Sequence, residues 1–425
     1  MALLKPNQYR PGENSKAFHR SRAKNLFVIA SIRSSKTFTL QHEAVASAWN
    51  NETPFGLLVM GPTFMQTRET LEEPVYELAL DYKLCAPRSL NKNEHKLTLR
   101  NGTPIYFRSG ESADTGIRGL NIYKAIVDEL TLCSEAAFDV AMGRLLLTNG
   151  EMRAVGTPQW YSNWVYQRLF SAEKNVPDGT EFMKFHISNN PLITEEAIMR
   201  LRATLDPIMA RREIDGEWVP MSDKQIYYAF DEGRVVRDVP APPKDEVVYI
   251  GLDYNVGINA WLAMWKDYKT NRIYVFDEGY GDKDTATVGR RIKEQFGDRA
   301  FILDDASGHS RQQGDGKTQR EYLNQVGLYQ IASHTSNPRV EKRQSVLNAH
   351  MLNGLGQTHL FISPKCRKVI HELTTLSRKP KSFEVDDQGG KAGHITDALG
   401  YGVYYLSGGT AAWAPPSEPV TYAVK

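Results

Sequence analysis

Three aspartates in the C-terminal half of this 425-residue chain stand where acidic side chains could do chemistry together. Asp253 and Asp305 follow short apolar runs of strand type, and Asp397 opens an apolar helical run. Carboxylates that come from two strand ends and a helix can meet at one point and hold two Mg²⁺ ions. This arrangement predicts metal-dependent cleavage of a phosphodiester bond.

Each of these acids also has a purely structural interpretation, because aspartate commonly ends strands and caps helices. The adjacent Asp304 and Asp305 are harder to explain in that way, since two charges beside a core strand are costly without a cation. We predict that Asp305 is the ligand, because small residues follow it, and that Asp304 points to the other side. His394 precedes Asp397 by three residues and either assists the metal site or caps the helix.

A second chemical pattern lies near the N-terminus, where the segment ASIRSSKT at 30–37 connects an apolar strand run to a helical run. In that context backbone N–H groups bind phosphates, Lys36 neutralises them and Thr37 reaches Mg²⁺. Ala30 and Ser35 stand where glycine is normally found, so the segment alone is better interpreted as a solvated basic turn. If it binds nucleotide, the contacts come from Ser31, Arg33, Ser34, Ser35, Lys36 and Thr37.

Two later patterns favour the phosphate-binding interpretation. Asp128 and Glu129 end the apolar run at 122–127. Asp128 would hold Mg²⁺ through water, and Glu129 would polarise the attacking water. The segment VGTP at 155–158 ends the next strand run, where a sensor of the γ-phosphate would lie. Together the three patterns predict ATP hydrolysis.

The elements that must position these residues are short apolar strands that alternate with helices, which predicts a mostly parallel α/β sheet. Asn101 and Gly102 lie between two strand runs and predict a hairpin. After Val247 the order is strand meander, helix, strand and helix, which is typical of an RNase H-like fold. The helical runs include 37–50, 66–82, 134–147, 192–214, 284–296, 338–354, 365–377 and 394–406.

The predicted organisation has five parts. They are a basic N-terminal segment at 1–24, a motor domain at 25–219, a proline-containing linker at 220–246, a nuclease domain at 247–408 and a loose tail at 409–425.

Composition limits the remaining possibilities. Hydrophobic residues make up 41% of the chain and the formal net charge is +2, so any nucleic-acid surface must come from local clustering. No apolar run approaches the roughly 20 residues that span a bilayer, so we expect no membrane partner. The three cysteines are far apart, and we expect buried thiols: Cys85, Cys133 and Cys366. Basic residues between the second and third acid form either a rim for phosphates or a solvated helix face: Lys365, Arg367, Lys368, Arg378, Lys379, Lys381 and Lys391.

These residues together resemble the large terminase subunit of tailed bacteriophages, the DNA-packaging motor. No single motif is decisive, but several in the family's order are specific. The resemblance rests on SIRSSKT at 31–37, TGIRGL at 115–120, IVDE at 126–129, VGTP at 155–158, IDGEW at 214–218, GLD at 251–253, DASG at 305–308 and HITDALGY at 394–401.

The resemblance implies an α/β chain with an N-terminal RecA-like P-loop ATPase of the additional-strand type and a C-terminal RNase H-like nuclease. It implies ATP and Mg²⁺ as cofactors, with Mn²⁺ as an alternative in the nuclease site. The implied partners are double-stranded DNA, the portal protein, a small terminase subunit and further copies of the chain in a ring, which the family forms as a pentamer. The implied location is the host cell cytoplasm, without retention in the mature virion.

The resemblance also implies roles for three further residues. Arg33 matches the basic residue of the family's loop. Arg118 is a candidate arginine finger, although a DNA-contacting or structural arginine would fit equally. The family often has an adenine-contacting glutamine upstream of the loop, for which Gln8 is the early candidate. The absence of both loop glycines leaves the affinity for ATP open.

Three function classes therefore compete. The leading hypothesis is an ATP-driven DNA translocase with metal-dependent endonuclease activity. The alternative is a host or mobile-element ATP-dependent helicase-nuclease of repair or transposition, and the third class is a binding protein whose loop does not hydrolyse ATP. Glu217, Trp218 and the compact second domain favour the first, because a helicase normally carries a second RecA-like domain for which the chain lacks room.

Overall fold

The computed structural model describes most of the chain and divides it into two compact units. The first unit contains residues 1–198 and 211–221, and the second contains 199–210 and 222–425. The described residues are 9–112, 116–171, 176, 178–220, 225–254, 259–282, 284–309, 316–333, 337–379, 385–386 and 392–408.

The first unit is built on an eight-stranded sheet with apolar clusters on both faces. Its strands are β1 (Asn25–Ala30), β2 (Gly56–Gly61), β3 (Leu90–Asn91), β4 (Lys96–Thr98), β5 (Pro104–Ser109), β6 (Ile122–Val127), β7 (Glu151–Gly156) and β8 (Thr180–Phe185). Its helices are α1 (Glu13–Arg20), α2 (Lys36–Trp49), α3 (Phe64–Thr67), α4 (Glu73–Asp81) and α5 (Glu135–Leu146). Two helices contain residues of both units, α6 (Glu195–Thr204) and α7 (Pro207–Glu213).

The strand order of this sheet is β3-β4-β5-β2-β6-β7-β1-β8. The hairpin predicted around Gly102 is present as β4 and β5, and the strands from β5 to β8 in that order pair in parallel. Strand β7 lies between β1 and β6, which is the additional strand of the predicted ATPase type. Because parallel strands end at one edge, the segments after β1, β6 and β7 meet there.

One helix predicted at 66–82 is interrupted. The backbone forms α3, then a π-helical turn at Arg68–Glu72, then α4. Pro74 lies in the first turn of α4, where its ring cannot accommodate the carbonyl group four residues earlier. A wider π turn relieves that clash, which explains the interruption.

Sequence patterns missed the short strand β3, strand β8 and helix α1 of this unit. Strand β8 is an edge strand, mostly half-buried, so it lacks the continuous apolar run of β1. Helix α1 lies in the segment predicted only as basic and polar, and it buries Phe18 with the polar Asn14 and Ser15.

The second unit contains a six-stranded sheet. Its strands are β9 (Val248–Asp253), β10 (Asn259–Asp267), β11 (Arg272–Asp282), β12 (Ala300–Asp304), β13 (Ile331–Ser333) and β14 (Leu360–Ile362). Its helices are α8 (Glu232–Val235), α9 (Thr285–Phe296), α10 (Gln319–Gln325), α11 (Val340–Met351), α12 (Arg367–Thr375) and α13 (His394–Leu406).

The strand order of the second sheet is β13-β12-β9-β10-β11-β14. Strand β10 pairs antiparallel with β9 and β11, whereas β12 pairs in parallel with β9 and β13. A three-strand meander followed by parallel strands on the far side of its first strand is the predicted RNase H-like arrangement. Strand β14 extends the sheet beyond β11.

Helix α13 packs unusually close to β9 because small residues face each other. A Cβ atom on Gly251 in β9 would lie 2.3 Å from the carbonyl oxygen of Ala398 in α13. Only glycine fits at such separations. The close packing brings the first turn of α13, which contains Asp397, towards the end of β9, which contains Asp253.

The segment predicted as a linker at 220–246 is partly core. Ile226, Tyr227, Ala229 and Val235 are buried in the main apolar cluster of the second unit, and α8 lies within the segment. The proline content that indicated a linker is real, but these apolar side chains attach the described part, 225–246, to the second unit.

The cysteines and the helices of the described residues bear on two predictions from composition. All three cysteines are free and buried, as expected: Cys85, Cys133 and Cys366. Among the helices of the described residues, none is long and apolar enough to cross a membrane.

Candidate functional sites

The loop between β1 and α2 has the backbone of a phosphate-binding loop although it lacks glycine. Ser35 precedes α2 with φ 71° and ψ 17°, and Arg33 has φ 53°. These left-handed conformations cost residues other than glycine roughly 1–2 kcal/mol each. Ser35 thus adopts the conformation that the missing second glycine would supply, and the fold tolerates the strain.

Three bonds to distant segments hold the loop in this shape. Asn14 Nδ2 donates to the Ser34 carbonyl at 3.2 Å, and Asn190 Nδ2 donates to the Arg33 carbonyl at 2.6 Å. The Ile32 amide donates to the Glu213 carbonyl at 2.8 Å. Sequence reasoning missed Asn14 and Asn190, since an isolated asparagine far from the loop carries no motif.

The loop lysine and threonine contact the predicted acid pair. Lys36 Nζ lies 3.0 Å from Glu129 Oε1. Thr37 Oγ1 donates to Asp128 Oδ2 at 2.8 Å. The backbone amide of Thr157, in the VGTP segment, donates to Glu129 Oε2 at 3.1 Å. The structure therefore joins the three predicted patterns of the first unit at the carboxyl edge of its sheet.

The acid pair is electrostatically strained. Burial, and then the charge of Glu129, raise the pKa of Asp128 to about 6, although Thr37 and Lys36 oppose the shift. Glu129 has φ 48°, a left-handed conformation that is uncommon for a residue with a side chain. A buried carboxyl group with a raised pKa and a strained acidic neighbour favour a bound cation, which is the chemistry expected of a Mg²⁺–phosphate site.

The two candidate arginines of this unit are exposed. Arg33 lies at the tip of the loop, and Arg118 lies in the turn before β6. The contacts that join Lys36, Thr37 and Glu129 to their partners do not include Arg118. Its exposure leaves Arg118 accessible to another molecule, which fits the arginine-finger hypothesis as well as DNA contact.

A cavity of about 510 Å³ lies beside the loop. Its wall includes aromatic and apolar side chains next to the start of α2, and Tyr9 stacks on His42 at a ring distance of 3.7 Å. The lining residues are Tyr9, Arg10, Pro11, Gly12, Ser15, Ser35, Phe38, Asn190, Pro191 and Leu192. An aromatic-lined cavity next to a phosphate-binding loop can hold a nucleobase. Gln8, the predicted adenine contact, lies outside the described residues.

Ser35→Gly is expected to stabilise the protein by about 0.5–1 kcal/mol. Glycine removes the cost of the left-handed conformation, although it adds freedom to the unfolded chain. Ser34→Gly is the matched control, because Ser34 has no positive φ and its hydroxyl donates to the Ser31 carbonyl at 2.7 Å. Thermal unfolding should rank Ser35→Gly above the parent and Ser34→Gly below it. Equal destabilisation by both changes would contradict the strain assigned to Ser35.

The second candidate site lies at the ends of β9 and β12 and in the first turn of α13. Asp253 ends β9, Asp305 follows β12, and Asp397 lies in α13. His394 Nδ1 lies 3.0 Å from Asp253 Oδ2. This contact supports the interpretation in which His394 assists the acidic site.

The adjacent acids Asp304 and Asp305 have different surroundings. Arg320 binds Asp304 through two nitrogens, at 2.7 Å and 3.2 Å, and the Tyr254 hydroxyl donates to it at 2.9 Å. The side chain of Asp305 accepts a hydrogen bond from the Ser307 amide at 2.9 Å. The Arg320 guanidinium therefore neutralises the charge of Asp304, whereas the side chain of Asp305 interacts with the other acids of the site.

The pKa shifts show that the three predicted ligands act on one another. Burial raises the pKa of Asp305, and the charge of Asp253 adds to the rise. Burial also raises the pKa of Asp397, where the charge of Arg343 opposes it and that of Asp253 supports it. The charge of Asp253 therefore acts on both of the other carboxyl groups, as expected of a shared metal ligand.

Within the described residues, no three acidic, histidine or cysteine side chains surround a single point closely enough to hold one metal ion. Asp253 contacts His394, and Asp397 contacts Arg343 Nη1 through Oδ1 at 2.9 Å, so the carboxylates are drawn towards separate partners. The donors nevertheless suit a divalent cation, because they are carboxylates whose burial and mutual repulsion raise two of the pKa values. Sequence reasoning missed Arg343, which no motif contains.

The predicted basic rim is only partly exposed. Lys365, Arg367 and Lys379 are exposed, whereas Lys368 pairs with Glu372 at 3.1 Å. Arg378 is half-buried. Lys381 and Lys391 lie outside the described residues. Lys368 is therefore held in an ion pair, and the three exposed cations fit both a rim for phosphates and a solvated helix face.

Comparisons with known proteins concern both units. A family model described as "Terminase large subunit, T4likevirus-type, N-terminal" matches residues 28–234. The large terminase of a thermophilic bacteriophage (crystal form 2) matches with a TM-score of 0.59 at 17% identity, over 93% of this chain and 99% of that chain. The same terminase in complex with ATP-gamma-S (crystal form 3) gives 0.58 at 17% identity, over 92% and 98%. No curated protein sequence matches the chain.

At this identity the structural likeness establishes the fold, and it covers both units. The predicted succession of an ATPase fold and an RNase H-like nuclease fold is thereby confirmed. The family model independently covers the loop, the acid pair and the segments between them. Residues 28–234 therefore match the N-terminal part of the terminase large subunit family, and both units of the chain have the fold of a large terminase.

Proposed function

We propose that the chain is a viral DNA-packaging motor subunit that hydrolyses ATP to move double-stranded DNA into a procapsid and cleaves concatemeric DNA with its second unit. The observation that carries the proposal is the set of contacts that join Lys36 and Thr37 to the acid pair, at 3.0 Å from Glu129 and 2.8 Å from Asp128. Lys36 and Thr37 begin α2, whereas Asp128 and Glu129 follow β6, and a solvated turn would not need them together.

In the ATP site, the residues divide the work. When ATP binds, Lys36 moves away from Glu129 and neutralises the β- and γ-phosphates. Glu129 is then free to polarise the attacking water. Thr37 and Asp128 would hold Mg²⁺, which shields the phosphate charge when bound. Thr157 keeps Glu129 oriented through its backbone amide. The loop amides and the start of α2 bind the phosphates without further reorganisation, since the loop is already braced.

The cavity beside Ser35 is the proposed place of the adenosine. Tyr9 and Phe38 offer aromatic surface to the base, and Asn190 offers a polar side chain. The large terminase of the thermophilic bacteriophage, which has this fold, has been crystallised with ADP and with ATP-gamma-S. That finding supports nucleotide binding by this chain.

In the nuclease centre, Asp253, Asp305 and Asp397 would hold two Mg²⁺ or Mn²⁺ ions, which activate water and stabilise the leaving oxygen when bound. Asp305 is preferred to Asp304, whose charge Arg320 already neutralises. His394 orients Asp253 through its contact at 3.0 Å. The exposed cations Lys365, Arg367 and Lys379 would contact the DNA backbone without reading sequence.

The proposed partners are double-stranded DNA, the portal protein, the small terminase subunit and further copies of the chain in a homo-oligomeric ring, which we propose to be a pentamer on the portal. The proposed location is the host cell cytoplasm, and the protein leaves before the virion matures. The helicase-nuclease alternative is not favoured, because the described residues contain one RecA-like sheet.

The proposed function is tested by measuring ATP hydrolysis and plasmid linearisation on the same purified protein. Both activities are expected with Mg²⁺ or Mn²⁺, and both should stop when EDTA removes the metal. Hydrolysis without any plasmid cleavage would contradict the nuclease assignment. Absence of hydrolysis in the presence of DNA would instead favour a binding protein with an inactive loop.

Arg118 is expected to act on the ATP of a neighbouring subunit. Arg118→Ala should lose most ATPase activity, and mixing it with inactive Lys36→Ala protein should restore part of it, because one subunit supplies the arginine and the other an intact loop. The measurement is ATPase rate against mixing ratio, with assembly verified by light scattering. No recovery at any ratio in assembled samples would count against a trans-acting arginine.

A further inference from the structure

Arg343 is a buried cation at the carboxylate centre of the second unit. It projects from α11, and its side chain is 6% exposed. Its Nη1 atom lies 2.9 Å from Asp397 Oδ1, and its guanidinium group lies 4.0 Å from the ring centre of Tyr401. Tyr401 follows Asp397 by one helical turn on α13, so the arginine is held from two sides by that helix.

A purely structural role in an ion pair explains the burial of this arginine poorly. Burying a guanidinium is costly unless all of its donors are satisfied, and Arg343 Nε has no partner in the described residues. The carboxylate it contacts is not buried to the same degree, since the Asp397 side chain is 40% exposed. The pair thus places a fixed positive charge against a carboxylate that is only partly buried.

That carboxylate belongs to the candidate metal centre. Asp253 and Asp397 interact electrostatically, and so do Asp253 and Asp305. The charge of Asp253 therefore repels those of Asp305 and Asp397 when no metal ion is present. Arg343 cancels one of the three formal negative charges, while the remaining two stay available to a cation. His394 contacts Asp253 and so lies at the other side of the centre.

On the basis of the proposed nuclease function, we propose that Arg343 is a built-in counter-charge of the centre, which stabilises the metal-free state and lowers the affinity for the metal ion beside Asp397. The two metal positions are then unequal. The ion that Asp397 would help to hold binds more weakly than the other, because it must compete with the guanidinium.

Arg343 is therefore a positioning residue, and it does not contact DNA. Removing its charge has opposite effects on two properties. The metal-free centre becomes less stable, because three carboxylates are left without a cation. Metal binding becomes tighter, because the competing charge is gone. A residue that only packs α11 against α13 would destabilise the protein equally with and without metal.

The test is Mn²⁺ binding to the full-length, nucleotide-free protein, measured from the paramagnetic resonance signal of unbound Mn²⁺. Arg343→Met, which keeps the apolar stem, is expected to bind Mn²⁺ at least about tenfold more tightly than the parent. Arg343→Lys retains a cation and is expected to stay within about threefold of the parent. Adding Asp253→Asn to Arg343→Met should abolish the gain, which assigns it to this centre.

Thermal unfolding supplies a second readout, which remains informative if Arg343→Met folds poorly. This variant is expected to unfold at a lower temperature than the parent in EDTA, and millimolar Mn²⁺ should restore most of the difference. Equal Mn²⁺ affinity in Arg343→Met and the parent, or a stability loss that Mn²⁺ does not reduce, would overturn the proposal. A parent protein that cuts no DNA while Arg343→Met still gains Mn²⁺ affinity would contradict the nuclease function alone.

Discussion

Lys36→Ala is expected to reduce ATP hydrolysis by at least about 10²–10³-fold. Lys36 is the charge that the loop aims at the β- and γ-phosphates, and it lies at the start of α2 within 3.0 Å of Glu129. Without it, the phosphate charge is not neutralised when the bond to the γ-phosphate breaks. In the nucleotide-free protein the change also removes the cation that contacts Glu129.

The measurement is a steady-state ATPase assay on protein shown to be folded by circular dichroism. Lys24→Ala is a matched control, because Lys24 precedes the other end of β1, is exposed and is far in sequence from the acid pair. The control is expected to hydrolyse ATP at the parent rate. Near-normal hydrolysis in folded Lys36→Ala would mean that the loop does not bind the phosphates.

Asp305→Asn is expected mainly to reduce DNA cleavage, whereas Asp304→Asn is expected mainly to reduce the stability of the fold. Asp305→Asn keeps the shape of a proposed metal ligand and removes its charge, so plasmid cleavage should fall by about 10²-fold or more while the fold persists. Asp304 is fully buried at its side chain and paired with Arg320, so Asp304→Asn leaves a cation unpaired. That change should cost about 3 kcal/mol of unfolding free energy, with less effect on cleavage.

The two variants are compared by plasmid cleavage with Mn²⁺ and by denaturant unfolding. Asp253→Asn and Asp397→Asn should resemble Asp305→Asn in cleavage, and all three should retain ATP hydrolysis, because the loop belongs to the other unit. If Asp305→Asn is fully active while Asp304→Asn is folded but inactive, the true metal ligand is Asp304, the partner of Arg320. Full activity in Asp253→Asn would refute a shared three-acid centre.

Much of this molecule could be predicted because its chemistry lies at the ends of strands. Asp128 and Glu129 follow β6, Asp253 ends β9, and in each case the acid comes after an apolar run that is visible in the sequence. Parallel strands end at one edge of a sheet, so the order of the elements is enough to predict which residues meet. The choice of Asp305 over Asp304 rested on the small residues that follow, and the Arg320 contact gives it a stronger reason.

The remaining features depend on contacts between distant segments. Asn14 donates to the carbonyl group of His186, 172 positions away, and no local pattern announces such a bond. Arg343 meets Asp397 because α11 packs near α13, which periodicity cannot show. Strand β8 was missed because an edge strand needs fewer apolar residues than a central one.

The loop shows a different limit of sequence reasoning. The missing glycines made residues 30–37 a weak motif, because serine disfavours the left-handed backbone that the loop requires. The structure places Ser35 in that conformation all the same, with φ 71°, and long-range bonds hold the neighbouring carbonyl groups. Residue types alone therefore underestimate this loop as a phosphate-binding motif, because bonds from distant segments impose its shape.

The central claim is that one chain drives DNA movement with its first unit and cuts DNA with its second. The most direct measurement is the amount of DNA protected from DNase after linear DNA, ATP and purified chain are incubated with portal-bearing procapsids. We predict protection with the parent and with Asp253→Asn, which needs no cut to package a linear molecule, and none with Lys36→Ala. Protection by Lys36→Ala at the parent level would contradict the claim, and so would failure of the parent to protect DNA while it hydrolyses ATP.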